Sequence, residues 1–216
     1  MTTAQLCTIP ERVDSLRLTV NSLRRQVDLL YVMLNGHYKI PTFLDWGEME
    51  LTTNEMSDAN KFYNIEERTG YVIICDDDIV YPPTYVQDMI KAVDKYKCVV
   101  SLHGKKYPRP FKDFYHIERN YRCLGNVDKD AEVDVVGSGV MAYHTDFLKL
   151  KYSDFELPNM ADVWVSKIAH EQGVKMMVLK HRADYLKHTN HKETIFITEN
   201  RKKFAKQTEI LKTFLR

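Results

Sequence analysis

Apolar residues along the chain fall either into short continuous runs or into stripes spaced three and four apart. Gln5 to Ile9 reads as a short strand ending at Pro10, and Val13, Leu16, Val20, Leu23 and Val27 then recur at helical spacing. Leu29 to Leu34 is a second run, stopped by Asn35-Gly36. Strand, helix, strand in that order predicts a parallel pair with a right-handed crossover. Residues 37–57 contain Pro41 and Gly47 and keep no period, which predicts a loop with short elements. Tyr71 to Cys75 is apolar without a break, as in a strand covered on both faces. After Pro82-Pro83, the positions Val86, Met89, Ile90 and Val93 form the inner stripe of a helix. Cys98 to Leu102 predicts another strand, and Val133 to Tyr143 a further one broken at Gly137-Ser138-Gly139. Ala161 to Gln172 predicts a helix ended by Gly173, and Val174 to Leu179 a last strand. The tail from Glu199 predicts a helix with Phe204, Leu211 and Leu215 on one side.

Strands and helices alternating over the whole chain predict an α/β sandwich around a mostly parallel sheet. The length of 216 residues fits one such domain with one sizeable core. A formal net charge of +1 removes the broad basic footprint of a general nucleic-acid binder, so no nucleic-acid partner is expected. No apolar run approaches the ~20 residues that cross a bilayer, and the first residues lack the basic-then-apolar order of a signal peptide, so no transmembrane segment is expected. Cys7, Cys75, Cys98 and Cys123 are scattered, without a CxxC pair. Three of them sit in apolar runs, where a free thiol acts as a small hydrophobe, and the expected setting is reducing and cytoplasmic.

The chemistry concentrates in Asp76, Asp77 and Asp78, which follow the apolar run 71–75 directly. In open α/β sheets, ligands sit beyond the carboxyl ends of the strands. Three adjacent carboxylates there repel one another unless a cation neutralises them. In an extended segment Asp76 and Asp78 share a side, so the pair can hold one hard divalent ion, Mn²⁺ or Mg²⁺, while Asp77 points elsewhere. The plainer alternative is an exposed acidic turn before the helix that follows Pro82. An EF-hand calcium loop does not fit, because its alternating acids and central glycine are missing.

With these residues in place, the chain resembles GT-A glycosyltransferases, the small family-2-like enzymes and among them the transferase domains of large algal viruses. Gly70 to Tyr85 is similar to that family's strand, DXD motif and following helix. Ser57 to Tyr63 resembles a Gly-Asp-x-Gly-Lys-Phe segment upstream of it, with Ser57 and Asn60 where glycine is common. Val136 to Tyr143 resembles the strand and glycine turn on the acceptor side.

The resemblance implies an inverting, metal-dependent transfer from a nucleotide diphosphate sugar, with UDP favoured, to a sugar hydroxyl of a glycan or glycoprotein. It implies Asp78 as the main metal ligand, Asp76 on the metal or ribose, and Asp77 towards the ribose or donor sugar. Asp58 and Lys61 would lie near base and diphosphate, and Thr8, Pro10, Arg12, Asn35 and Gly36 would border the nucleotide. His188 is the implied late metal ligand, with His191 and His181 behind it, in a basic segment from Lys180 to Lys192. Asp162 is the implied catalytic base, Glu156 the reserve, and Gly137, Ser138, Gly139 and Trp164 the acceptor side. Residues 1–100 would then form the donor half and 101–216 the acceptor half.

Each assignment has a plainer counterpart. Arg12 and Lys61 can be surface residues, Asp162 a helix cap and Trp164 a core residue, and the aromatic segment Tyr107 to Tyr121 can be part of an acceptor wall or equally a packed surface loop. Two other functions remain open: a sugar-phosphate nucleotidyltransferase and a non-catalytic carbohydrate-binding domain with a structural cation. The first usually carries a glycine-rich loop after its first strand, whereas this chain has Thr8-Ile9-Pro10-Glu11-Arg12.

Overall fold

The computed structural model describes residues 1–189 and 200–215. Strand β1 (Thr2–Thr8) pairs in parallel with β2 (Leu29–Asn35), and helix α1 (Val13–Leu23) makes the crossover. On the far side of β2 lies β3 (Glu48–Thr52), and on the far side of β1 lies β4 (Tyr71–Cys75), both parallel. Strand β11 (Val140–His144) then runs antiparallel between β4 and β6 (Val99–Ser101). The sheet closes with β12 (Met176–Val178), parallel to β6, and β9 (Ala131–Glu132) at the edge. Its eight strands run β3-β2-β1-β4-β11-β6-β12-β9.

Alternation along the central strands builds two apolar layers. Ile73 and Cys75 of β4 join Leu16, Val20 and Leu23 of α1 and Val86, Met89 and Val93 of α2 (Tyr85–Tyr96). Val72 and Ile74 face the other way, towards Val163, Val165 and Ile168 of α3 (Ala161–Glu171) and Ile210 and Leu211 of α4 (Asn200–Phe214). The result is an α/β/α sandwich with a mostly parallel Rossmann-like sheet.

The predicted strand Val133 to Tyr143 is two strands in two sheets. Its first part, β10 (Val135–Val136), joins a small antiparallel sheet with β7 (Gly104–Lys106) and β8 (Arg119–Tyr121). The glycine turn redirects the chain into β11, where the Asp76 amide donates to the Gly139 carbonyl at 3.0 Å. Strand β3 lies in the stretch expected as a loop. It is an exposed edge strand, Glu-Met-Glu-Leu-Thr, so it carries no apolar run to mark it. A two-stranded ribbon pairs β5 (Ile79–Val80) with β13 (Lys187–His188). Phe204 belongs to α4, but its side chain lies outside the described residues.

Candidate active site

The aspartate triplet lies where β4 ends, beside the turn that opens β11. The chain turns at Asp77 and Asp78 instead of staying extended, so the expected alternation of side chains is lost. Asp77 is buried, with Oδ2 accepting from Thr8 Oγ1 at 2.6 Å and Oδ1 from Arg12 Nη1 at 2.8 Å. The same Arg12 nitrogen lies 3.4 Å from Asp78 Oδ2. Burial works against the Arg12 charge, but Asp77 and then Asp78 hold the guanidinium above its ordinary pKa. Lys61 is buried and paired with Asp76 Oδ1; burial disfavours its charge too, and Asp76 is the largest influence that keeps it protonated. Arg12 and Lys61 are therefore parts of the triplet, and neither is an ordinary surface residue.

The expected role of Asp77 at ribose or sugar does not match its placement. Its two oxygens are taken by Thr8 and Arg12, so it fixes the turn, and Thr8 is spent in the same contact. Asn35 is also buried: its Nδ2 donates to the Ser57 carbonyl at 3.0 Å and its Oδ1 accepts from Asn60 at 2.9 Å. Its side-chain amide is held by those contacts, and Asn35 lines the cavity that Gly36 borders, as expected. Pro10 and Gly36 border an open cavity of about 740 Å³, with Ile9, Glu11 and His37, at the carboxyl ends of β1 and β2.

The ribbon of β5 and β13 delivers a late histidine to the triplet. His188 is opposite Ile79 in register, and the Thr189 amide donates to the Asp78 carbonyl at 2.9 Å. This brings His188 Nε2 to 3.3 Å from Asp78 Oδ2. Burial, and then the charges of Asp76 and Asp77, raise the Asp78 pKa. His181 is held elsewhere, with Nδ1 2.8 Å from the Leu179 carbonyl and Nε2 3.2 Å from the Arg122 carbonyl. His191 lies outside the described residues, as does the end of the basic segment from residue 190.

On the other flank, the glycine turn meets the start of α3. Asp162 Oδ1 accepts from both the amide and the hydroxyl of Ser138, each at 2.7 Å. Among the described residues its Oδ2 carries no hydrogen bond. The helix is not capped by Asp162: Asp58 Oδ2 accepts the Ala161 amide at 3.1 Å from outside the helix. Gly139 is needed for close approach, since a Cβ there would lie 1.8 Å from Asp76 Oδ2. At Gly137 a Cβ would lie 2.7 Å from His103 Cβ, so that glycine admits the His103 side chain. Trp164 is buried in the core, which corrects its assignment to the acceptor side. Two residues beyond Asp162 is about 200° around a helix, so when Asp162 faces the cleft Trp164 faces the sheet. Glu156 is exposed before α3 and shares no hydrogen bond with the cleft residues.

Three contributors escaped the sequence reading. Tyr81 Oη donates to the Gly139 carbonyl at 2.8 Å and lies 2.9 Å from the Asp76 amide, pinning β4 to β11. Thr19 Oγ1 lies 2.9 Å from the Asp77 carbonyl and 2.8 Å from that of Ile79, fixing the turn from α1. A buried threonine within the apolar stripe of α1 was the signal available for it. His103 stands beside the Ser138–Asp162 pair, and burial lowers its pKa while Asp162 opposes the shift.

Asp58 gives a pH test of this geometry. Burial raises its pKa from 3.8 to about 6, with Lys61 and the Ala161 amide opposing. A raised acid pKa contributes stability that is complete below 3.8 and lost as pH rises through about 6. Asp58→Asn keeps a neutral acceptor for Ala161, so its unfolding midpoint is expected to exceed the parent's at pH 7. The gap should close as pH falls to 4; parallel midpoint profiles would mean that Asp58 is not buried as charge.

Among the described residues, no group of three or more His, Cys, Asp or Glu is already gathered to hold a metal ion. The donor set next to the triplet nevertheless suits one. Asp78 Oδ2 and His188 Nε2 lie 3.3 Å apart, and the carboxylate oxygen is of the kind that Mn²⁺ and Mg²⁺ favour. Mg²⁺ and ions like it leave their other positions to water and phosphate.

With that geometry defined, comparison places the fold in a class: a GT-A-like, Rossmann-type α/β/α fold. The structure of TarS from S. aureus, residues 1–349 in complex with UDP-GlcNAc, is similar with a TM-score of 0.62 at 12% identity. The likeness covers 99% of this chain and 66% of that one, so the chain spans just under two thirds of TarS 1–349. The structure of A197 from STIV is matched at a TM-score of 0.47 and 17% identity, over 87% of this chain and 84% of that one. No family model matches the sequence, and no curated protein does. All four cysteines are free, and no helix among the described residues is long and apolar enough to cross a membrane.

Proposed function

We propose that this chain is an inverting glycosyltransferase that uses a nucleotide diphosphate sugar, a uridine nucleotide by preference, and a divalent cation. The acceptor is a sugar hydroxyl of a glycan or glycoconjugate. The observation that carries this reading is the shared turn. Gly139 touches Asp76 while the adjacent Ser138 holds Asp162, so the Asp162 carboxylate stands beside the acidic triplet, where a base is needed. A fold shared with a structure that contains UDP-GlcNAc supports the nucleotide-sugar part.

The roles follow from the placement. The nucleotide would lie in the cavity that Pro10 and Gly36 border, with Arg12 held against Asp77 and Asp78. Asp78 and His188, with Asp76 beside them, would hold Mn²⁺ or Mg²⁺. The ion supplies charge for the leaving diphosphate. Lys61 and Arg12 keep the carboxylates ordered, and an ammonium near the triplet is a point-charge partner for phosphate. Asp162 is oriented through Oδ1, so its free Oδ2 takes the proton of the acceptor hydroxyl. That oxygen attacks the anomeric carbon from the face opposite the diphosphate, whose bond to carbon breaks as the new one forms. Residues 1–100 serve mainly the donor and 101–216 the acceptor, with His188 returning to the donor.

Titration calorimetry with UDP and GDP, first with Mn²⁺ and then with EDTA, tests this reading. One nucleoside diphosphate should bind with the metal present and lose most of its affinity on chelation. Folded protein that binds neither nucleotide would leave the carbohydrate-binding alternative in front.

A further inference from the structure

Next to the Ser138–Asp162 pair lie His103, which packs on Gly137 just before β7, Lys105 on β7 and Arg122 just after β8. Gly104 pairs with Tyr121 and Lys105 with Asn120, so His103 and Arg122 stand at the same end of the β7–β8 pair, and both His103 and Lys105 feel the charge of Asp162. Arg122 is exposed and near enough to act on His103 by charge. The neighbouring cations are matched: Lys106 and Arg109 reach Asp134 Oδ1 at 3.1 Å and 3.0 Å. Lys105 and Arg122 form no ion pair among the described residues. Lys105 Nζ sits 4.2 Å above the ring of buried Phe114, whose amide is bound by Thr208 at 3.1 Å.

A half-buried ammonium without an acceptor is costly, and a ring face offsets only part of that cost. Burial accordingly lowers the Lys105 pKa, with Asp162 as the one opposing charge. A cation serving the donor diphosphate would stand against the triplet, as Arg12 and Lys61 do. Lys105 lies on β7, which pairs with β10, the strand that leads into the turn whose Ser138 holds Asp162, and this puts it on the acceptor side.

We propose that His103, Lys105 and Arg122 form a subsite for an anionic group, phosphate or carboxylate, carried by the acceptor near its reacting hydroxyl. The proposal rests on the transferase reading for the word acceptor, but the subsite can be tested on its own. The full chain, saturated with UDP and Mn²⁺, is titrated with maltotriose, trigalacturonate, a monophosphorylated maltotriose and inorganic phosphate. The same series is run on Lys105→Gln and on Arg122→Gln, the latter at an exposed site where folding is not at risk. An anionic probe is expected to bind about tenfold or more tightly than maltotriose, as a charge-assisted contact implies. Both substitutions should erase that margin and leave UDP affinity unchanged. Trigalacturonate and the phosphorylated probes distinguish carboxylate from phosphate as the group held. The proposal is overturned if no anionic probe outbinds maltotriose, including the case where none binds, or if the preference survives both substitutions. If UDP itself fails to bind, the donor reading falls separately, and the same titrations without nucleotide still decide the anion subsite.

Discussion

Asp162→Asn is expected to slow sugar transfer by about a hundredfold to ten-thousandfold, the range general-base catalysis supplies. The amide oxygen of asparagine can still accept from the Ser138 amide and hydroxyl, so the start of α3 and the glycine turn should hold their positions. What is lost is a group able to take the proton. Initial rates of transfer, measured beside calorimetric UDP affinity, separate the outcomes. Slow turnover with unchanged affinity supports a base. A joint loss of both would mean that Asp162 holds the donor, and unchanged turnover would remove it from the chemistry.

Gly139→Ala carries the second large effect, and it acts through packing. The added methyl would lie 1.8 Å from Asp76 Oδ2, far inside contact distance, so the Asp76 carboxylate or the turn must move. The Asp76 amide bond to the Gly139 carbonyl and the Tyr81 hydroxyl tie both partners in place, so neither moves alone. The expected result is a stability loss of about 1–3 kcal/mol, as in other overpacked sites, together with loss of metal-dependent nucleotide binding. Denaturant unfolding and nucleotide titration on the same sample check it. Full affinity in a variant of normal stability would show that Asp76 has no fixed place beside that turn.

The legible parts of the chain were those with uninterrupted periods. The run 71–75 and the stripe of α1 gave the sheet's centre and its first crossover, because a strand covered on both faces and an amphipathic helix leave unmistakable spacing. The edge strand Glu48–Thr52 left none, since an exposed strand needs no apolar pattern. The break at Gly137-Ser138-Gly139 was visible, but not that it moves the chain from one sheet to another. The site was legible as residue types and not as orientations. A turn at Asp77-Asp78 turned Asp77 inward onto Thr8 and Arg12, which an extended segment would not do. Helical phase, available from the sequence, would have sent Trp164 inward once Asp162 was set outward. His103 and Tyr81 act through neighbours distant in sequence, Gly137 and Gly139, and only the fold brings those together.

On the proposed reading, a metal-bound nucleotide lies between the aspartate triplet and Asp162. Paramagnetic relaxation by Mn²⁺·UDP, compared with Mg²⁺·UDP in amide-resolved NMR of the labelled chain, tests this most directly. Broadening is expected to be strongest at Asp78, His188 and Gly139, with Ser138 and Asp162 next. Folded protein whose resonances show no selective broadening, or show it away from those residues, would contradict it.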